Sequence, residues 1–218
     1  MAASAPLDRA ARAARIHQIL DELHPMPGSP LAHETPYQLL VATILSAQCT
    51  DVRVNLVTPA LFARYPDARA FADADPRELE KMIQSTGFFR NKARSIRACC
   101  RALVEQHGGA VPGTMEELVA LAGVGRKTAN VVLNIAFGEP TIAVDTHIFR
   151  VGNRTGLATG KTPLEVEQKL ERVVPAHYKR HAHHWLILHG RYTCVARKPR
   201  CEHCIIADLC KWPGKTVA

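Results

Sequence analysis

Apolar positions along the chain recur at helical rather than strand spacing. After Thr35 the run Leu39-Leu40-Val41-Ala42-Thr43-Ile44-Leu45 is apolar nearly all round, the pattern of a helix buried at the centre of a domain. Ile96, Cys99, Cys100 and Leu103 repeat on one helical face, and that pattern stops at Gly108-Gly109, a helix end. Sustained alternation is missing, so an all-α fold is expected.

The helix starts share one chemistry. Thr35-Pro36-Tyr37-Gln38, Asp75-Pro76-Arg77-Glu78, Thr114-Met115-Glu116-Glu117 and Thr162-Pro163-Leu164-Glu165 each place a capping oxygen before the helix and Glu or Gln at its third position to return the bond. In three of them proline comes first, where no amide is missed. Thr58-Pro59 falls inside an otherwise helical stretch from Asp51 to Arg64, which predicts a kink or an early break. No repeat at a fixed period is present.

Charge narrows the range of partners. The 218 residues suffice for one large or two small domains, and 28 Lys+Arg against 20 Asp+Glu leave a net charge of +8, which favours a polyanion. From Lys81 to Val104 the bases Lys81, Arg90, Lys92, Arg94, Arg97 and Arg101 meet no acid. From Arg172 to Cys201 another acid-free run holds Arg172, Lys179, Arg180, Arg191, Arg197, Lys198 and Arg200. Either run alone reads as a solvated helix face; two in one basic chain favour phosphate contact. No apolar run is long enough to span a bilayer, so no membrane partner is expected. Met1 to Arg15, rich in Ala and Arg and without an apolar core, reads as a frayed tail rather than a targeting segment.

Chemistry-bearing residues gather in two places. In Leu121-Ala122-Gly123-Val124-Gly125-Arg126-Lys127-Thr128-Ala129-Asn130 two glycines flank one apolar residue and a helix follows directly, stopped by Gly138. Such a turn exposes backbone N–H groups at a positive helix end and can clasp a phosphate, the plain alternative being a tight turn between packed helices. Thr114, Leu118 and Leu121 mark a short helix before it, giving helix–hairpin–helix order. Of the seven cysteines, Cys194, Cys201, Cys204 and Cys210 crowd near the C-terminus, a metal site of a reducing compartment rather than a disulfide framework. Spacing alone leaves zinc and an iron–sulfur cubane equally open, since only Cys201 and Cys204 form a Cys-x-x-Cys pair. His177, His181, His183, His184 and His189 lack a carboxylate or thiolate to complete a second site and read as a mixture of surface and core.

The hairpin residues Leu121 to Asn130, together with Val144-Asp145-Thr146-His147-Ile148-Phe149-Arg150 and the cysteine spacing, resemble the endonuclease III family of iron–sulfur DNA glycosylases, from about Tyr37 to Cys210. The resemblance implies a bifunctional DNA glycosylase and abasic-site lyase of base excision repair, with Lys127 as nucleophile and Asp145 as catalytic carboxylate. It implies duplex DNA with a damaged pyrimidine or abasic site as partner and a [4Fe–4S] cluster on the four cysteines. Ser46-Ala47-Gln48-Cys49-Thr50-Asp51 resembles the segment whose glutamine, Gln48, fills the gap left by an extruded nucleotide, with His147 nearby. Phe88 in Gly87-Phe88-Phe89-Arg90-Asn91-Lys92 matches the second plug, although Phe88-Phe89-Arg90 and Ala122 depart from the family's usual residues. Gly123, Val124 and Gly125 would hold a DNA phosphate, and Arg197 and Lys198 would meet the strand from the loop shaped by the cluster.

By the same resemblance the domains are a six-helix unit over 31–139 and a discontinuous unit of 1–30 plus 140–218, with substrate between them. A nucleophilic lysine must be neutral, and an ordinary one with pKa about 10.4 is less than about 0.1% neutral at pH 7, so its surroundings must disfavour the ammonium. An adenine-excising or mismatch-specific monofunctional relative would lack the hairpin lysine, and a non-catalytic DNA-binding module would need neither Lys127 nor Asp145. A cytoplasmic monomer, nucleoid-associated in a bacterium, is the expected form.

Overall fold

The computed structural model describes residues 7–25 and 28–216, and these contain helices and 3₁₀ turns but no strand. The chain divides into two compact units, Ser29–Glu139 and a discontinuous one of Met1–Gly28 with Pro140–Ala218.

The continuous unit holds α2 (Pro36–Leu45), α3 (Asp51–Arg64), α4 (Ala68–Ala72), α5 (Pro76–Ile83), α6 (Phe89–His107), α7 (Met115–Ala120) and α8 (Arg126–Phe137). The α2 helix is its axis: Leu39, Leu40, Val41, Ala42, Ile44 and Leu45 are all buried, and α3, α6 and α8 pack around them. Its one polar interior residue, Thr43, donates its hydroxyl to Leu39 O at 2.7 Å and so carries no unmet donor into the core. Tyr37 Oη likewise donates to Tyr65 O at 2.6 Å beneath Phe71. The α6 helix ends at Gly108 with φ +62°, where Gly109 N–H closes on Leu103 O, and α8 ends the same way at Gly138.

The capping oxygens are as expected, but the returned bond is not: Glu78 pairs with Arg64 instead, and Glu117 accepts from the Thr114 hydroxyl. Thr35, Asp75, Thr114 and Thr162 all accept first-turn amides. The returning side chains of Gln38 and Glu165 reach the amides of Glu34 and Lys161, one residue before each cap, rather than the cap itself. At Pro59 the expected break does not occur: α3 runs unbroken from Asp51 to Arg64. Pro59 lies on the exposed side of that helix, where its ring does not enter the core.

The discontinuous unit combines α1 (Arg9–Leu23) with α9 (Thr146–Thr155), α10 (Pro163–Val173) and α11 (Ala176–Tyr192). The frayed start expected through Arg15 is corrected here, because helix begins at Arg9; Met1 to Pro6 lie outside the described residues. Ala13, Ile16 and Leu20 of α1 are fully buried. Arg12 is buried with them, its guanidinium donating to Thr155 O at 2.6 Å, Leu209 O at 2.9 Å and Gly156 O at 3.0 Å. That one side chain caps the end of α9 and pins the C-terminal loop to it. Trp185 on α11 donates to His24 O at 2.9 Å, joining the last helix to the end of the first.

Candidate functional site

The hairpin between α7 and α8 is held from below and open above. Leu121 and Val124 are buried, and Val124 N–H donates to Leu121 O at 3.1 Å, closing the turn. Val124 is therefore the anchor, its side chain in the core, while Gly123 and Gly125 are exposed. Gly123 adopts φ +79°, and a Cβ there would lie 2.7 Å from Ser95 Cβ, so only glycine fits. At Gly125 a Cβ would meet nothing within 4 Å. Threonine hydroxyls cap α2, α3 and α7 in this unit, but no side chain caps α8. An uncapped, exposed helix start presents amides and the positive end of the dipole to an anion. Lys127 is exposed in the first turn of α8, beside that opening.

Two further turns of the same unit face a hollow of about 260 Å³ lined by Ala47, Gln48, Phe88, Asn91, Lys92 and Gly123 among others. Gln48, three residues beyond α2, has φ +52°, and Phe88, at the start of α6, has φ +49°. Left-handed backbone in such residues costs on the order of 1–3 kcal/mol and persists where the surroundings impose it. Phe88 is 64% exposed, whereas Phe89 packs against the core, so of the two adjacent aromatics the first is presented outward. Lys92 does not belong to a solvated basic face. It is 5% exposed, and its ammonium donates to Leu45 O at 2.7 Å and Thr86 O at 2.8 Å. Burial without a carboxylate pulls its pKa below the ordinary lysine value.

In the other unit Asp145 is the N-cap of α9. Its Oδ1 accepts from the amides of His147 and Ile148, both at 2.8 Å, which fixes the half-buried carboxylate and leaves Oδ2 uncommitted among the described residues. His147 Nδ1 lies 3.2 Å from Arg150 Nη2, and Arg150 in turn donates to Gly190 O and Cys194 O. The approach of α11 to α9 needs a glycine, because a Cβ on Gly190 would come within 2.9 Å of His147 Cβ.

The same α9 helix braces the cysteines. Cys194, Cys201, Cys204 and Cys210 are free, half-buried thiols around one cavity, together with Arg154, His189, Trp212 and Lys215. Among the described residues no three side chains converge as they would on a single ion; the four cysteines instead line one cavity, with the all-thiol donor set that an iron–sulfur cluster uses. Arg154 lies 3.6 Å from Cys194 Sγ, donates to Val195 O and Ala196 O, and stacks 4.2 Å over Trp212. Lys215 donates to Cys210 O and Ala207 O. Four thiolates carry more negative charge than a cubane core offsets, and these two cations stand where the excess would be. Without a cluster, burial and the neighbouring sulfurs push the Cys204 and Cys210 thiols up, the cost that bound metal removes. Between the first two cysteines Arg200 N–H closes on Thr193 O, holding out the exposed Arg197 and Lys198, the latter at φ +52°.

Residues 41–176 match the model of the HhH-GPD superfamily of base excision DNA repair proteins, and residues 194–210 match the iron–sulfur binding domain of endonuclease III. The chain belongs to the endonuclease III family. It is 56% identical over 196 residues to the endonuclease III of Haemophilus influenzae (90% of this chain, 93% of that one) and 54% identical, with the same coverage, to that of Escherichia coli strain K12. Among solved structures it is similar to a trapped endonuclease III–DNA covalent intermediate, with TM-score 0.85 at 43% identity over 89% of this chain and 92% of that one. A thermostable thymine-DNA glycosylase shares the fold at TM-score 0.83 and 23% identity, over 94% of this chain and 98% of that one. The chain is thus a DNA glycosylase and abasic-site lyase of the endonuclease III family, with that family's [4Fe–4S] domain at its C-terminus. No helix among the described residues is long and apolar enough to cross a membrane.

Local patterns gave no sign of Arg12, Lys92, Arg150 or Arg154 as braces. Each contacts carbonyls far along the chain, so neither spacing nor capping chemistry betrays it.

Proposed function

We propose that this enzyme removes oxidised pyrimidines from duplex DNA and cleaves the resulting abasic strand, acting as a monomer through Lys127 and Asp145. The observation that carries this reading is Lys127 in the open first turn of α8, directly behind an exposed, uncapped hairpin. The amides and positive helix end would hold a strand phosphate, which brings the sugar of a nearby nucleotide to the lysine. The amine attacks C1′; the bond from C1′ to the base breaks, and the base leaves with that electron pair and takes up a proton. Asp145, one oxygen held by its own helix and the other uncommitted among the described residues, stabilises positive charge on the sugar and accepts the proton that the attacking nitrogen sheds. The C1′–O4′ bond then opens, O4′ taking up a proton, to leave a Schiff base, and loss of a C2′ proton from it expels the 3′ phosphate by β-elimination. Gln48 and Phe88 would fill the space vacated by the extruded nucleotide, which lowers the cost of a few kcal/mol for unstacking it.

Cys194, Cys201, Cys204 and Cys210 would hold the cluster, whose contribution is structural: it ties down the loop carrying Arg197 and Lys198, which would meet the DNA backbone. Four free thiols suit the reducing cytoplasm.

Borohydride trapping on a duplex with an abasic site and one with thymine glycol tests the assignment. Wild type should form a covalent adduct with both and nick both, while Lys127→Ala does neither and keeps its cluster absorbance. Trapping at full level in Lys127→Ala would move the nucleophile elsewhere. Adducts with the abasic duplex alone would leave a lyase of different base specificity.

A further inference from the structure

The two strained turns that carry Gln48 and Phe88 are joined by one side chain. Leu45 O, at the end of α2, lies three residues before Gln48, and Thr86 O lies two residues before Phe88. The Lys92 ammonium bonds both, at 2.7 and 2.8 Å, and Lys92 N–H takes Phe88 O at 3.0 Å. We infer that Lys92 is a positioning residue that clamps the Gln48 turn to the Phe88 turn and sets the spacing at which those two side chains enter DNA. The inference rests on the gap-filling role proposed above for Gln48 and Phe88.

The chemistry of the contact argues for a clamp rather than for filler. A core position at the start of α6 would be served by an apolar side chain, yet this one holds a cation that, among the described residues, meets no carboxylate and bonds carbonyls of two separate segments. Carbonyls at helix ends lack intrahelical partners, and a cation satisfies them more strongly than a neutral donor. Both turns hold a non-glycine residue in left-handed backbone, a conformation that relaxes unless something over-determines it. The ammonium bonds both segments, and Lys92 itself lines the hollow that Gln48, Phe88 and Gly123 share.

Loss of the clamp should tell on extrusion and not on the chemistry that follows. The loaded enzyme and its Lys92→Met and Lys92→Arg variants are compared in single turnovers on two substrates. One is a duplex with thymine glycol opposite adenine; the other is a single strand with an abasic site, which needs no extrusion. Lys92→Met should slow base release from the duplex by about tenfold or more while changing strand cleavage of the single strand by less than about threefold. The fluorescence rise of 2-aminopurine opposite the lesion, a report of unstacking, should shrink in parallel. Lys92→Arg, which keeps charge and donors, should recover most of both signals. Equal losses on the two substrates would make Lys92 a purely structural residue and overturn the clamp, as would no loss on either. If Lys92→Met fails to fold, as its melting curve would show, the same ratio measured in Lys92→Gln, which keeps one donor, decides between these outcomes. Gln48→Ala and Phe88→Ala, run alongside, separate the levels of the argument. If they too fail to discriminate between the substrates, gap filling itself is wrong and the clamp falls with it. If they discriminate and the Lys92 variants do not, only the clamp is wrong.

Discussion

Replacing each hairpin glycine by alanine should separate what the turn needs in order to fold from what it needs in order to bind. At Gly123 the backbone sits at φ +79°, and an alanine Cβ would lie 2.7 Å from Ser95 Cβ, 3.1 Å from Ser95 Oγ and 3.7 Å from Ile44 Cγ2. Left-handed backbone costs alanine about 1–2 kcal/mol. A carbon–carbon approach almost 1 Å inside normal contact adds an overpacking cost of about 1–3 kcal/mol. Gly123→Ala should therefore destabilise by about 2–5 kcal/mol. Gly125 has φ −92° and open space around its Cβ direction, so Gly125→Ala should leave stability within about 1 kcal/mol and can even raise it by restricting the unfolded chain. That new methyl stands where a phosphate would approach, so duplex affinity should fall with no change in folding. Urea unfolding of the loaded protein, followed in parallel by far-UV circular dichroism and cluster absorbance to test that one transition is seen, gives the first quantity; binding of an abasic duplex gives the second. Combining Gly123→Ala with Ser95→Gly should recover the packing share of the loss, about 1–3 kcal/mol, and leave the backbone share. A Gly123→Ala protein as stable as wild type, or a double variant no better than the single, would refute the reasoning.

Acid should unfold the enzyme partly through buried histidines. Burial lowers His17 and His184 to about 4 from an ordinary 6.5, with His181 adding to the effect at His184. The folded state then keeps them neutral while the unfolded state protonates, so stability is whole above about pH 6.5 and falls by about 1.4 kcal/mol per pH unit for each as pH drops toward 4, some 3 kcal/mol apiece. Urea midpoints between pH 7 and 4.5 read this; a profile as steep in His17→Leu as in wild type would remove His17 from the account. Arg154→Met deletes the donor to Cys194 Sγ, Val195 O and Ala196 O and the cation over Trp212. The cluster should then be lost to chelator markedly faster, at a cost to the loop of about 3–5 kcal/mol; unchanged decay of cluster absorbance would show that the loop holds without it. Tyr37→Phe leaves the buried Tyr65 O without its donor and should cost about 1–3 kcal/mol in unfolding free energy while leaving strand cleavage unchanged. Lost cleavage at undiminished stability would contradict a purely structural role for that bond.

Helix starts could be read from the chain because their chemistry is local: a threonine or aspartate, three residues and a carboxylate or amide suffice. The hairpin was legible for the same reason, since Gly123 answers a backbone demand that no neighbour can alter. What could not be read was the company kept by the long cations. Lys92 looked like one member of a basic run and is a buried donor to carbonyls 47 and 6 residues away. Arg12 and Arg154 likewise act across 143 and 41 residues, where no periodicity reaches. Phe88 rather than Phe89 came from the resemblance and not from periodicity, because the choice turns on whether α6 begins from a left-handed residue, and phenylalanine gives no warning of that.

That exception has its own logic. Among the described residues, the non-glycines with positive φ are Gln48, Phe88 and Lys198, and each belongs to the set that sequence resemblance assigned to DNA. A chain selected for stability alone would place glycine or asparagine at such positions, as Gly87, Gly108, Gly123, Gly138 and Gly156 do elsewhere. Holding a glutamine, a phenylalanine and a lysine there instead, at on the order of 1–3 kcal/mol each, is understandable only if the side chain is needed at that point in space. Each also stands beside a brace: Lys92 bonds the carbonyls flanking the first two, and Arg154 bonds those of Val195 and Ala196 just before the third. Strained residue and bracing cation thus form a repeated unit. Removing the cation should let the backbone relax and withdraw the side chain, so function should fail at these turns before the fold does.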